Sequence, residues 1–393
     1  MAQQDAIKIG VATATIVGMN AMIGSGIFSA PETIARNVGP AGILAYGFVV
    51  VAVWFMALSL ARLAKLVPEE GSFYAYAKQW GGHTVGLIAS GSYLIGLIIA
   101  MGLLCQMAGL YLHALVPSMG TETLGTITLV SLVGLNMIGV VLSEIGQHIL
   151  IVCTVFPIVA TIIICLMNGS VDNLTPFAPF GMSNVIRATR VVIFGFFGFE
   201  SAASLFNVVA NPERNVPRAL TYSIIIVGIL YTLFIGSLIF ATPMAYFATG
   251  MQLPDILSMR FPGQTWFVMA IRLSVLSAIL GTIHSMIWGS SMLLVALADK
   301  AFSRTKLNPK LSVVIVGAGI FSTYALLKNM NLFFMLTAAF IIVAFLLSMI
   351  SLLFIKEEWK SGQNIKTVIG MATALAILYF ALEGLVEELT SAI

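Results

Sequence analysis

The sequence predicts an all-α polytopic membrane protein of about eleven transmembrane helices, arranged as two five-helix repeats of inverted topology whose first helices are broken. Three observations carry that expectation. Of the 393 residues, 59% are hydrophobic and only 9% are charged, against about 25% charged in a soluble domain. Apolar stretches long enough to cross a bilayer as a helix, about 20 residues each, recur along the chain. The first and the sixth of them are interrupted by glycines and small polar residues, the mark of discontinuous membrane helices.

The spans fall at about 9–36, 41–66, 84–115, 124–142, 147–168, 184–209, 217–241, 265–298, 311–327, 331–354 and 365–386. Together they make one transmembrane domain, with repeats over 9–168 and 184–354 and an additional helix at 365–386. No apolar leader with a small-residue cleavage site precedes the first span, so the N-terminus is expected to be retained. Between spans 2 and 3, Pro68-Glu69-Glu70-Gly71-Ser72-Phe73-Tyr74-Ala75-Tyr76-Ala77-Lys78 mixes aromatic and charged residues and is too short to span, which predicts an interfacial helix. After span 6, the prolines of Asn211-Pro212-Glu213-Arg214-Asn215-Val216-Pro217-Arg218 are expected to end one helix and start the next.

An N-terminus on the cytoplasmic side puts thirteen of the 19 Lys and Arg residues on that side, as the positive-inside rule favours. The acidic C-terminus then faces out. A formal charge of +3 gives no reason to expect a nucleic acid partner. Cys105, Cys153 and Cys165 lie in apolar spans without paired spacing, which indicates packing rather than a disulfide or a zinc site.

In Ala21-Met22-Ile23-Gly24-Ser25-Gly26-Ile27-Phe28, the Gly-Ser-Gly triplet gives up helix propensity in mid-span. Unwound backbone at bilayer depth persists only where protein, water or ligand satisfies it. The facing ends of two half-helices present opposite partial charges, which suits a substrate carrying both a carboxylate and an ammonium. Phe194-Gly195-Phe196-Phe197-Gly198-Phe199-Glu200-Ser201 repeats the pattern in span 6. Close packing of small residues is the alternative for Gly24, Ser25 and Gly26 taken alone.

These two stretches, together with Gly71-Ser72-Phe73-Tyr74-Ala75-Tyr76 and with Asn211 to Ala219, give the chain a resemblance to the amino acid–polyamine–organocation transporter superfamily. The order and spacing of the motifs fit over the first ten spans. They look most similar to the basic amino acid and polyamine antiporter branch, which includes the arginine/agmatine exchangers. The resemblance implies the five-plus-five fold of the leucine transporter, a central site reached alternately from each side, and a place in the plasma membrane, the inner membrane in bacteria. The family commonly has twelve helices and uses the last ones for dimer contacts, so with eleven spans a homodimer is an expectation from the resemblance alone. Span 3 presents Tyr93, Leu97 and Met101 on one face, too apolar for a guanidinium. Phe194 stands where the arginine exchangers carry a tryptophan.

Substrate-binding candidates follow. Ala21, Ile23, Gly24, Ser25 and Gly26 offer backbone amides and a hydroxyl to a carboxylate; carbonyls around Phe194, Gly195, Phe197 and Gly198 are placed, largely by the resemblance, to receive an ammonium. Tyr93, Leu97 and Met101 would meet the side chain. Phe194 and Phe199 are the aromatic gates. Glu200, a carboxylate in mid-membrane, either couples protons or holds the broken helix by bonding freed amides, the second being preferred. In Ile283-His284-Ser285-Met286-Ile287-Trp288, His284 and Ser285 lie where sodium-coupled relatives place a hydroxyl-bearing stretch, and Trp288 completes the gating set; a satisfied buried polar group is the alternative for His284. Arg187 and Arg190 are expected at a solvated vestibule rim, Arg272 to snorkel, and Glu144 to cap a turn.

The function expected is alternating-access transport of L-amino acids by exchange. Proton- or sodium-coupled symport, polyamine transport and a non-transporting nutrient sensor are the alternatives. His83, His113, His148 and His284 fall on different segments with no paired carboxylate or cysteine, so no metal, cofactor or catalytic residue is expected and an enzyme is disfavoured. There is no phosphate-binding loop for ATP.

Overall fold

The computed structural model describes residues 9–24, 26–67, 72–139, 144–200, 209–249, 251–301, 307–355 and 364–391. Ser25, Ser201, the Pro68 to Gly71 end of the interfacial stretch and the side chain of Glu144 lie outside the described set.

Helix formation follows the apolar stretches, and each of the eleven expected spans contains helix. The first is split into α1 (Val11–Met22) and α2 (Gly26–Val38), bent by 52° at the glycines. Then come α3 (Gly42–Leu66), α4 (Ser72–His113), α5 (Thr121–Met137) and α6 (Glu144–Met167). The α4 helix is two segments: a short first piece turns at Gly82, whose φ of 70° and ψ of −165° are non-helical, and the chain runs on as span 3. Span 6 opens with α7 (Met182–Arg187) and α8 (Thr189–Val192), followed by a 3-10 turn at Ile193–Phe196. The second half of the chain holds α9 (Pro212–Ala241), α10 (Met244–Phe247), α11 (Leu253–Arg260), α12 (Thr265–Ala301), α13 (Pro309–Leu326), α14 (Met330–Phe354) and α15 (Asn364–Ser391).

Seven helices are individually long and apolar enough to cross a membrane, and the bent α1–α2 pair makes an eighth span. The 17-residue α5 and the apolar part of α6, Val152–Met167, are shorter. Among the described residues there is no strand, only an isolated parallel bridge between Ile9 and Val209.

The proline loop after span 6 differs from expectation. Pro212 occupies the first turn of α9 and Pro217 lies inside the same helix, so Pro212 starts the helix and Pro217 does not. A proline this near the start removes one early bond, and the helix keeps the rest of its ladder. The small helices α10 and α11 were not anticipated; both pack on α2, and α11 carries its proline in the first turn.

The helices sort residues to two ends. At one, Ile9 pairs with Val209 and the Ala210 amide donates to the Ile9 carbonyl (2.9 Å), with Lys65 bonded to Glu213 nearby in the chain (3.0 Å). At the start of span 6, Arg187 meets Glu383 near the end of α15 (2.8 Å). Ile9 therefore lies by the end of span 6 and Glu383 of α15 by its start. Epitope tags on the two termini should be labelled from opposite sides of sealed vesicles; labelling of both from one side would show that α15 re-enters.

Candidate functional site

The break between α1 and α2 touches the unwound stretch of span 6 that ends the described residues at Glu200, backbone to backbone. A Cβ on Gly26 would lie 2.5 Å from the Cα of Gly195. Gly198 takes φ +108°, and a Cβ there would lie 2.3 Å from the Ala21 carbonyl oxygen. No side chain fits at either contact, and Gly198 has a conformation that L residues adopt only under strain.

Unwinding frees polar groups, and specific partners meet them. The Met22 carbonyl accepts a hydrogen bond from the Tyr231 hydroxyl of α9 (2.8 Å) and one from the Gly24 amide in a tight turn (2.8 Å). Tyr231 is fully buried, and its ring packs on Phe196 with centroids 5.2 Å apart. On the other break, Glu200 is buried. Its Oε2 accepts from the Gly198 amide (3.0 Å), while Oε1 accepts from the Tyr93 hydroxyl of α4 (2.5 Å). Both carboxylate oxygens are thus engaged, and the carboxylate joins span 3 to the break in span 6.

An aromatic layer lies against this bond. Phe345 of α14 has Phe199 at 5.2 Å, Phe73 at 5.6 Å, Phe197 at 6.3 Å and Tyr93 at 6.5 Å between ring centroids. Phe73 also stacks on Tyr93 at 4.3 Å. Phe194 points elsewhere and meets Phe334 edge-on at 5.0 Å. The two aromatic gates of the sequence reading therefore pack on different parts of α14. Met101 is fully buried and Leu97 half-buried on α4.

Span 8 enters one turn earlier than the sequence suggested. A Cβ on Gly24 would lie 2.8 Å from the Thr282 hydroxyl, so Thr282 faces the first break. Ser285, one turn on, is exposed and donates to the Gly281 carbonyl (2.7 Å); Trp288 is also exposed. His284 faces α5 instead, where the Asn136 amide lies 3.0 Å from its Nδ1 and donates to the Leu132 carbonyl (2.9 Å). The structure brings Ala21, Gly24, Gly26, Gly195, Gly198, Glu200 and Tyr93 into one contact region and leaves His284 in a separate link between spans 4 and 8. Arg272 is held by Asp255 of α11 (2.6 Å) rather than snorkelling alone.

Comparison with known proteins gives the family directly. The amino acid permease family matches residues 14–385. The chain belongs to that family. It is 25% identical over 344 residues to the branched-chain amino acid permease BcaP of Bacillus subtilis, covering 81% of this chain and 74% of that protein. It is 26% identical over 269 residues to the methylthioribose transporter of the same organism, covering 64% and 58%. An uncharacterised transporter of Mycobacterium tuberculosis is 24% identical over 322 residues, covering 79% and 72%. This permease is accordingly an integral membrane transporter of a small molecule and not an enzyme.

Two substitutions test the contact. Gly198→Ala combines a strained φ with a collision on Ala21 and should cost about 2–5 kcal/mol, whereas Gly236→Ala, with its nearest neighbour 3.6 Å away, should be neutral. Tyr231→Phe removes one of two donors to the Met22 carbonyl and should cost about 1 kcal/mol. Thermal denaturation of the purified variants in one detergent reads all three.

Proposed function

We propose that this permease exchanges neutral, moderately apolar L-amino acids across the plasma membrane, with its N-terminus in the cytoplasm. The observation that carries the reading is the contact of two unwound helices, Gly26 on Gly195 and Gly198 on Ala21. Half-helix ends meeting in one small volume offer a positive end to an α-carboxylate and a negative end to an α-ammonium. Gly24, Ser25 and Gly26 serve the first, the carbonyls from Phe194 to Gly198 the second, and Leu97 and Met101 take the side chain. Halves at 9–168 and 184–354 rock about this site.

Several observations support an apolar side chain and an exchange mode. Both oxygens of Glu200 are engaged by Tyr93 and Gly198, so this carboxylate serves the broken helix and not a cationic substrate. A related permease carries branched-chain amino acids in its name. His284 is engaged by Asn136 of α5, away from the first break, and the span-5 sequence from Ile149 to Met167 contains no lysine or arginine to stand in for a coupling cation.

Uptake of labelled leucine, isoleucine and valine into proteoliposomes, with and without the same amino acid preloaded, tests the mode. Exchange predicts uptake that needs internal substrate and ignores imposed pH and sodium gradients; accumulation in empty vesicles under either gradient identifies a symporter. Glu200→Gln keeps one acceptor oxygen of two and should slow exchange about tenfold, the loss of one hydrogen bond, with the pH profile unchanged. A variant that still transports but has lost its pH dependence would assign proton coupling to Glu200.

A further inference from the structure

The start of span 6 has little stiffness of its own. It consists of α7, α8 and a 3-10 turn, pieces of 6, 4 and 4 residues, so no long ladder of backbone bonds fixes where Phe194 sits. External anchors must do so, and the acidic end of α15 supplies them. Arg187 bonds Glu383 through Nη2 (2.8 Å) and Glu387 through Nη1 (3.3 Å). Arg190 donates to the Phe380 carbonyl (3.1 Å) and has Glu387 at 3.9 Å. Its guanidinium reaches α15 only because residue 384 is glycine: a Cβ there would lie 2.0 Å from Arg190 Nη1 and 2.4 Å from the sulfur of Met335 on α14. One turn beyond Arg190, Phe194 meets Phe334, the neighbour of Met335, edge-on.

We propose that Arg190, clasped by the end of α15 with Arg187 beside it, is a positioning residue for Phe194 and through it sets substrate affinity. The inference rests on the placement of Phe194 at the proposed pocket. Arginine suits the role because its planar fork fixes direction as well as charge. Each of these ion pairs joins one half-buried side chain, Arg190 at 21% or Glu383 at 24% exposed, to one exposed partner, Glu387 at 47% or Arg187 at 40%, so solvent screens them in part. Glu388 extends the same clasp to the start of α14, accepting from Asn329 (3.0 Å) and Asn331 (3.3 Å). Span 11, outside both repeats, thereby acts on the site through the half-helix that bears the gate.

The test is the KM for amino acid exchange in proteoliposomes, which does not depend on how much protein folds. Arg190→Gln and Gly384→Val should each raise KM about fivefold and change the maximal rate per folded transporter by less than about twofold. Arg187→Glu should raise KM likewise, and Arg187→Glu with Glu383→Arg should bring it back towards the original value. Glu122→Gln, which breaks the exposed Lys328–Glu122 pair, should leave KM unchanged. An unchanged KM in Arg190→Gln beside a raised KM in Phe194→Ala would overturn the clasp alone. An unchanged KM in Phe194→Ala would overturn the pocket placement and the clasp with it.

Discussion

The architecture depends on one close approach, the meeting of the two helix breaks without side chains between them. Gly26 on Gly195 and Gly198 on Ala21 bring backbone to backbone at a depth where water cannot repair a lost bond. An unsatisfied backbone group in hydrocarbon costs several kcal/mol, so neither break can exist apart from the groups that meet it. Tyr231 answers the carbonyl that α1 releases at Met22. Glu200 answers the amide of Gly198 in span 6. Break and partner form one unit, and an account that treats the glycines as mere flexibility omits what keeps the unwound form ordered.

That unit also explains where the aromatics gather. The Tyr93 to Glu200 bond crosses from span 3 to span 6, and Phe73, Phe199 and Phe345 pack close to it. Apolar rings around a hydrogen bond lower the local dielectric and strengthen it. The motif after span 2 takes its place here: Phe73 joins the rings, while the Tyr76 carbonyl accepts from Ser351 of α14 (2.5 Å) and the Tyr74 hydroxyl pairs with His83 (3.0 Å). The piece before Gly82 is therefore tied to α14 as well as to its own helix.

Much of this was legible in the sequence because local composition determines it. The spans follow from apolar length, both breaks from glycine in mid-span, and the turn into span 3 from the mixed stretch before Gly82. What was not legible depends on register between distant segments. Tyr231 is 209 residues from Met22 and Tyr93 is 107 from Glu200, and nothing near either tyrosine marks its partner. Phe345 is one of 25 phenylalanines. Counting along span 8 reached Ser285, one turn past Thr282, because a helix ladder carries no sign of which turn faces a break. Arg187 and Arg190 looked solvated until α15 brought Glu383 and Glu387 to them. For α11, Pro254 after Gln252 was a start signal short of the length that marks a span.

The proposed selectivity follows from the same accounting of polar groups. In an alternating-access site the substrate must leave water, and each charge it brings must be met inside or it raises the barrier. On this reading the backbone ends meet the α-carboxylate and α-ammonium common to every amino acid, so they cannot distinguish one from another. Discrimination falls to whatever surrounds the side chain. Glu200 is committed to Tyr93 and Gly198, and releasing it to pair with a cationic substrate would return the Gly198 amide to an unsatisfied state. A cationic side chain would therefore weaken the break that binds its own α-groups. On the proposed reading an apolar side chain would ask nothing of Glu200 and would gain from contact with Leu97 and Met101, so the bond that stabilises span 6 would also disfavour charge in the pocket.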